Sequence, residues 1–478
     1  MDRLASLRSD LAEIVGEDGV LTHSAGLLAY DCDALTVERA LPAAVVLPKT
    51  TEQVAELVRF ANQARMPYVP RGAGTGLSGG SLAPNGGLII ATTRMTQIIE
   101  IDARSRRIHA QAGAVNVDLS KAAKPHSLHY APDPSSQGAC TIGGNVGENS
   151  GGPHTLKYGV TVNHVTGVKM VLPDGEIVQI GGWEDEAIGL DLLGVIVGHE
   201  GTFGVVTEVF ARLTPLPQSV RTFLAIFDTL EQATETVTQI IGAGLVPAAL
   251  ELMDRLALEA VEAAFKYGFP LDAEAALLIE VDGLEAGIER QASLVKGICE
   301  RSGAREVRQA ADELDRARLW AARKKAIGAL GRLAPSCITQ DGVIPRAKLP
   351  KALKAAAAIA QKHDLRLANV FHAGDGNLHP VLLFDDSDPD QVRRVLAAGD
   401  EILEMCLAEG GSLTGEHGIG VEKRNLMDRM FAKEDLEAMR VVKDAFNPDD
   451  RCNPDKMFPD SRFCYEAKRK PRKAAYGL

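Results

Sequence analysis

The chain lacks several features that would settle its class at once. Nowhere in its 478 residues does an apolar run approach the roughly 18 side chains that a membrane-spanning helix requires. Its first residues carry charge at Asp2, Arg3, Arg8, Asp10 and Glu13, where a secretory signal would be apolar, so a cytoplasmic protein is expected. Positive charge is in the minority, with Lys+Arg 52 against Asp+Glu 64 and a formal net charge of −12. That balance argues against nucleic acid or an anionic lipid surface as a partner. The seven cysteines are odd in number and form no C-x-x-C pair, which leaves no disulfide framework and no cysteine zinc or iron–sulfur site. No repeat with a period of about 20–50 residues is present. What remains is ordinary globular material, 45% hydrophobic and 24% charged, long enough for two or three cores at roughly 100–200 residues per domain.

Glycine, by contrast, is plentiful. Of 46 glycines, 27 precede residue 211, so the excess has a local cause. Residues 1–20 read as an amphipathic helix and 43–47 as a short strand. Thr51 is placed to cap a helix through Val54, Leu57, Val58 and Ala61. A strand at 66–69 then runs into Pro70-Arg71-Gly72-Ala73-Gly74-Thr75-Gly76-Leu77-Ser78-Gly79-Gly80. Consecutive backbone N–H groups in such a loop can nest a diphosphate, and glycine permits its close approach. One glycine-rich turn is equally ordinary turn chemistry. This one has neither the long helix and acidic residue of a Rossmann fingerprint nor a Walker A lysine. A second segment, Thr141 to Gly152, and a third, Gly198 to Val206, change the balance. Three such loops in one domain predict a backbone cradle around one large dinucleotide. Strands at 87–92, 107–113, 164–172 and 204–213 make the domain α+β.

After Pro215-Leu216-Pro217 the glycines thin out. Helices at 230–242, 254–267 and 283–302 accompany a strand at 276–282, which puts a domain boundary near 215. A helix at 350–362 and another at 391–408 flank two strands, the glycines return at 410–459, and Lys468 to Lys473 form a basic run in what reads as a solvated tail, 460–478.

The richest chemistry lies in Phe371-His372-Ala373-Gly374-Asp375-Gly376-Asn377-Leu378-His379-Pro380. If Gly374–Asn377 is a four-residue hairpin loop, His372 stands directly opposite His379 with Cβ atoms about 5 Å apart. Two imidazoles so placed can hold a divalent metal such as Zn²⁺ or Mn²⁺, or can simply be half-buried hairpin histidines. Gly415-Glu416-His417-Gly418 adds a carboxylate and an imidazole in a flexible loop, one of which can complete a His₂Glu site. Asn377 is placed to touch a substrate there.

Pro70 to Gly80, Gly143 to Gly152 with Lys157-Tyr158-Gly159, Glu200-Gly201-Thr202 and Asn453-Pro454-Asp455-Lys456-Met457-Phe458-Pro459 together resemble the vanillyl-alcohol oxidase / para-cresol methylhydroxylase (PCMH) superfamily. The nearest likeness is to FAD-linked D-lactate dehydrogenases and the glycolate oxidase catalytic subunit, with D-2-hydroxyglutarate dehydrogenase as a cousin. The resemblance implies an α+β fold in which a PCMH-type two-subdomain FAD-binding domain, 1–215, carries a ferredoxin-like α/β substrate or cap domain, 216–409. The segment 410–459 would return to the first domain. It implies that Pro70, Arg71, Gly72, Ala73, Gly74, Thr75, Gly76, Ser78 and Gly79 line the pyrophosphate. Gly143, Gly144, Asn149, Ser150, Gly151, Val205, Val206 and Asn453 would surround the rest of the flavin. With Arg at position 71 and no attachment motif around Cys140, the FAD is expected to be non-covalent. The same resemblance makes His372, His379 and Glu416 metal ligands and His417 the general base, and it gives Arg323 the substrate carboxylate. Where the D-2-hydroxyglutarate enzymes place a lysine this chain has Gln340, which favours a short substrate such as glycolate or D-lactate. The implied activity is oxidation of a D-2-hydroxy acid with hydride transfer to flavin N5. The electron acceptor stays open among a quinone, a cytochrome and an iron–sulfur partner subunit, which could also hold the protein at the inner membrane. Homodimerisation is open as well. The competing readings are a D-2-hydroxyglutarate dehydrogenase, a non-catalytic flavin-binding subunit of a glycolate-oxidising complex, and a metal hydrolase on an unrelated fold.

Overall fold

The structure, a computed structural model, describes residues 2–83, 86–184 and 189–459; the basic tail lies outside them. The chain divides into two compact units. The first comprises 1–150, 160–215 and 416 onward; the second comprises 151–159 and 216–415. The short stretch Gly151–Gly159, read above as part of the first domain, therefore packs with the second.

In the first unit, Thr50 rather than Thr51 caps the helix Thr51–Gln63, its side chain accepting from Gln53 N at 3.2 Å. Thr51 is instead buried, with its hydroxyl on Thr207 Oγ1 at 3.0 Å. The stripe Val54, Leu57, Val58 and Ala61 is fully buried against strands Ala44–Val46, Leu88–Ala91 and Tyr68–Arg71, which pair in parallel. A second, antiparallel sheet runs Ile98–Asp102, Arg107–Gln111, Val205–Arg212, Val165–Val171, Ile177–Gly181. The helix Ile142–Glu148 lays Ile142 and Val146 into its core.

The second unit is built on a seven-stranded antiparallel sheet in the order Glu306–Gln309, Ser219–Phe227, Ala275–Gly283, Ala249–Asp254, Arg366–His372, Pro380–Phe384, Ser336–Thr339. A ferredoxin-like unit has four strands. This sheet has seven, and its central strands are buried on both faces and need cover on both. Helices Leu230–Gly242, Glu285–Arg301, Leu349–Lys362 and Pro389–Ala408 bury one face. Arg255–Phe265, Glu313–Lys324 and Ala326–Leu330 bury the other. On this second face the buried strands carry Glu251, Glu280, Asp282 and His372, charged or titratable side chains inside a hydrophobic layer.

Candidate active site

The first unit brings the three glycine loops together. Strand Tyr68–Arg71 leads at its carboxyl end into loop 72–80, the usual edge for a ligand beside parallel strands. A Cβ on Gly72 would overlap Thr141 Oγ1 of the second loop, so any larger residue here must displace that side chain. The third loop is tied to the second by Gly198 N on Val146 O and Glu200 N on Gly147 O, each at 2.8 Å. Asn453 Nδ2 joins the first and third, donating to Gly80 O at 2.9 Å and to Glu200 O at 2.7 Å. Asn453 Oδ1 is buried without a hydrogen-bond partner among the described residues. A backbone cradle with an unsatisfied buried acceptor fits a dinucleotide.

The individual positions are less uniform than the motif suggests. Arg71 folds beneath its own loop, donating to Cys32 O at 2.8 Å and Ser81 Oγ at 3.3 Å, with its guanidinium 5.3 Å from the Tyr30 ring centroid. Gly74 and Gly79 have φ of 72° and 75°; the backbone around Thr75 and Gly76 supplies the rest of the turn, and Gly76 O accepts from Ala34 N at 2.9 Å. Pro70 packs where a Cβ on Gly201 would sit, and Gly143 lies against Ala112. Gly144 N reaches Thr141 Oγ1 at 3.4 Å. Asn149 accepts from Val162 N at 2.9 Å, and Ser150 Oγ from Asn145 Nδ2 at 3.2 Å. Val205 and Val206 point into two different hydrophobic cores, and Gly151 belongs to the second unit.

The loop carrying His417 is held inside the first unit. Ser78 Oγ donates to His417 O at 2.8 Å, and Glu200 accepts from Ile419 N and Gly420 N, each at 2.7 Å. Burial raises the Glu200 carboxyl. Burial, reinforced by the Glu200 charge, pushes the neighbouring Glu148 well above the usual carboxylate range. Lys456 is 1% exposed, donates to Leu82 O at 3.0 Å, and is lowered to about 8 by burial.

In the second unit the hairpin differs in register from the expectation. Asn369 pairs with Pro380, Ala368 with Val381, and a bridge sets His372 opposite Asn377 rather than His379. Asp375 Oδ1 accepts from Asn377 N at 3.0 Å, an Asx turn that ends the loop one residue early and makes it Ala373–Gly376. A shift of two residues keeps side chains on the same face. His379 is thus the diagonal neighbour of His372, with ring centroids 5.0 Å apart at 77°.

Glu251 stands opposite His372 on the adjoining strand. Its Oε1 lies 2.7 Å from His372 Nδ1 and its Oε2 2.6 Å from Arg323 Nη2. The side chains of Glu251, Arg323 and His372 are only 0%, 3% and 4% exposed, so all three are sealed from water. Arg323 Nε is buried with no hydrogen-bond partner among the described residues. Asp341 lies 3.5 Å from His379 Nε2, and its other oxygen accepts from Thr414 Oγ1 at 2.5 Å and Gly415 N at 3.0 Å. With Nδ1 of His372 engaged by Glu251, Nε2 is the nitrogen through which that ring can bind a metal. Glu416 and His417 follow Gly415 directly in the chain.

Gln340 alternates to the opposite face, its amide packed against Gly399 of the helix Pro389–Ala408. Its neutrality therefore does not bear on the length of a substrate near the histidines. Glu251 and Asp341 were not singled out in the sequence. The available signal for Glu251 was a lone carboxylate inside the apolar run Val246 to Met253.

Residues 42–181 match an FAD binding domain, and residues 216–457 match the C-terminal domain of FAD linked oxidases. This chain belongs to the FAD-linked oxidase family. The FAD-linked oxidase is 44% identical to the glycolate oxidase subunit GlcD of Escherichia coli (strain K12), over 98% of this chain and 93% of that protein. It is 39% identical to GlcD of Bacillus subtilis (strain 168), covering 95% and 96%. To the D-lactate dehydrogenase of Anaerostipes hadrus it is 33% identical, covering 88% and 90%. Among solved structures, p-cresol methylhydroxylase matches with a TM-score of 0.81 and 17% identity, over 96% of this chain and 98% of that one. The fold is therefore the α+β PCMH type, and the protein is an FAD-dependent oxidoreductase. No helix among the described residues is long and apolar enough to cross a membrane.

Proposed function

We propose that this FAD-linked oxidase converts a short D-2-hydroxy acid, D-lactate or glycolate, to the 2-oxo acid. The observation that carries the reading is the Glu251-centred cluster, which sets a buried guanidinium with an unsatisfied Nε beside two imidazoles. The relatives named as glycolate oxidase subunits and D-lactate dehydrogenase support the substrate class.

Arg323 holds the substrate carboxylate, for which a guanidinium supplies paired donors. Asn377, opposite His372, orients the hydroxyl-bearing end. His417 in its neutral form takes the hydroxyl proton, and its backbone is fixed for that task by Ser78 and Glu200. His372, His379 and Glu416 would hold a divalent metal, Zn²⁺ or Mn²⁺, which supplies Lewis acidity toward the hydroxyl. FAD, bound non-covalently, supplies the hydride acceptor. The name of the GlcD relatives makes a partner subunit a fitting electron acceptor, alongside a quinone or a cytochrome. A homodimer and a cytoplasmic location, peripheral at the membrane through that partner, belong to the same proposal.

The test is anaerobic absorbance of the purified yellow protein mixed in turn with D-lactate, glycolate, L-lactate and D-2-hydroxyglutarate. Bleaching by D-lactate or glycolate alone is expected. Bleaching by D-2-hydroxyglutarate alone would reassign the substrate, and a flavin that none of the four reduces would make the chain a non-catalytic subunit.

A further inference from the structure

We infer that Glu251 is the positioning residue of this site: one buried carboxylate that sets the tautomer of His372 with one oxygen and the pose of Arg323 with the other. The inference rests on the proposed roles of those two residues as metal ligand and carboxylate holder, and goes beyond them. Three observations converge on it. Glu251 is in register with His372 across a strand pair, so their contact is dictated by backbone pairing. Arg323 comes from the helix Glu313–Lys324, which covers the same sheet face, and meets the second oxygen of the same carboxylate at 2.6 Å. All three side chains are sealed from water, where an unpaired charge is costly and a fixed one is strongly directing.

The chemistry follows from which atoms are engaged. A carboxylate at 2.7 Å can only accept from His372 Nδ1, so the proton sits there and, in the neutral ring, the lone pair is on Nε2. Carboxylate partners of this kind orient metal-binding imidazoles and raise their basicity. The same carboxylate ion-pairs with Arg323 through Nη2, while Arg323 Nε is buried with no hydrogen-bond partner among the described residues. It also neutralises the guanidinium until a second anion arrives. One residue therefore couples metal affinity to substrate affinity.

The experiment uses the full FAD-loaded chain and reads two quantities. Equilibrium dialysis against Zn²⁺ or Mn²⁺ alone measures metal retention, and anaerobic flavin reduction measures half-saturation by D-lactate or glycolate. Glu251→Gln is expected to weaken metal retention about 10–100-fold and to raise the half-saturation concentration by at least about tenfold while FAD stays bound. A Glu251→Gln protein that changes neither quantity overturns the inference. His372→Ala separates the two levels: if it retains metal as the parent does, the metal reading itself fails, whereas loss in His372→Ala with full retention in Glu251→Gln removes only the role of Glu251. Should Glu251→Gln fail to fold, nitrogen-15 NMR of histidine-labelled parent protein decides, with the His372 signal assigned by its loss in His372→Asn. Protonation at Nδ1 upholds the inference, and protonation at Nε2 overturns it.

Discussion

Arg316 meets Glu280 through two nitrogens, Nε on Oε2 at 2.8 Å and Nη2 on Oε1 at 2.9 Å. Trp320 Nε1 and Thr222 Oγ1 donate to the same carboxylate at 2.7 and 2.6 Å. Burial alone would raise this carboxyl, but His154 and Arg316 outweigh it and hold it well below the usual range. Glu280→Ala strands a half-buried arginine and an indole N–H, so a loss of about 3–5 kcal/mol is expected. Denaturant unfolding of the second unit checks it, and a loss below about 1 kcal/mol would mean that water replaces the carboxylate.

His417→Ala should keep FAD and abolish turnover, because only the side chain is removed while Ser78 and Glu200 still hold the backbone. Glu200→Ala should lower turnover about tenfold or more by releasing two buried amides, each lost acceptor costing about 1–3 kcal/mol. Comparing the pH profiles of flavin reduction discriminates the two. Any residual flavin reduction in His417→Ala should lack the limb owed to the base, which should survive, at lower amplitude, in Glu200→Ala.

His199 is fully buried with Phe203 nearby, and desolvation lowers it from 6.5 to about 4. The folded state keeps the ring neutral, whereas the unfolded chain binds a proton below about 6.5. Stability in the first unit should thus fall as pH drops through the window from 6.5 to about 4, by up to about 3 kcal/mol. In His199→Leu that component should be absent. Thermal release of flavin fluorescence measured across this window would show the difference in slope.

Gly72→Ala should lose FAD without unfolding the second unit. The new methyl collides with Thr141 Oγ1, a strain of about 1–3 kcal/mol placed where the first two loops meet. Flavin content after gel filtration is the readout, and full occupancy would remove Gly72 from the cradle.

Where local chemistry dominates, the structure was legible in the sequence. The helix Leu230–Gly242 has the ends its pattern implies, since Thr229 caps it and its apolar stripe is regular. The three glycine loops announced their convergence by composition alone. At Thr50 and Thr51, two adjacent hydroxyls competed for one cap and the sequence could not rank them. At the hairpin, the Asx turn of Asp375 shifted the register by two, which preserved the face of His379 but gave Asn377 the place opposite His372. That Gln340 turns its amide to Gly399, away from the histidines, depends on strand parity and register, which composition does not reveal. Glu251 was invisible for a further reason: its value lies in two long-range partners, 72 and 121 positions away, and no local pattern marks them.

The stretch Gly151–Gly159 bears on how the protein is made. It supplies His154 to Glu280, and Lys157 and Tyr158 to Asp282, yet it leaves the ribosome well before either acidic residue. The second unit is thus assembled from two separate lengths of chain. The earlier one must wait for its acidic partners while the strands Val165–Val171 and Val205–Arg212 are synthesised. A fragment cut at 216–415 would contain every strand of the seven-stranded sheet and still bury Asp282 without its lysine.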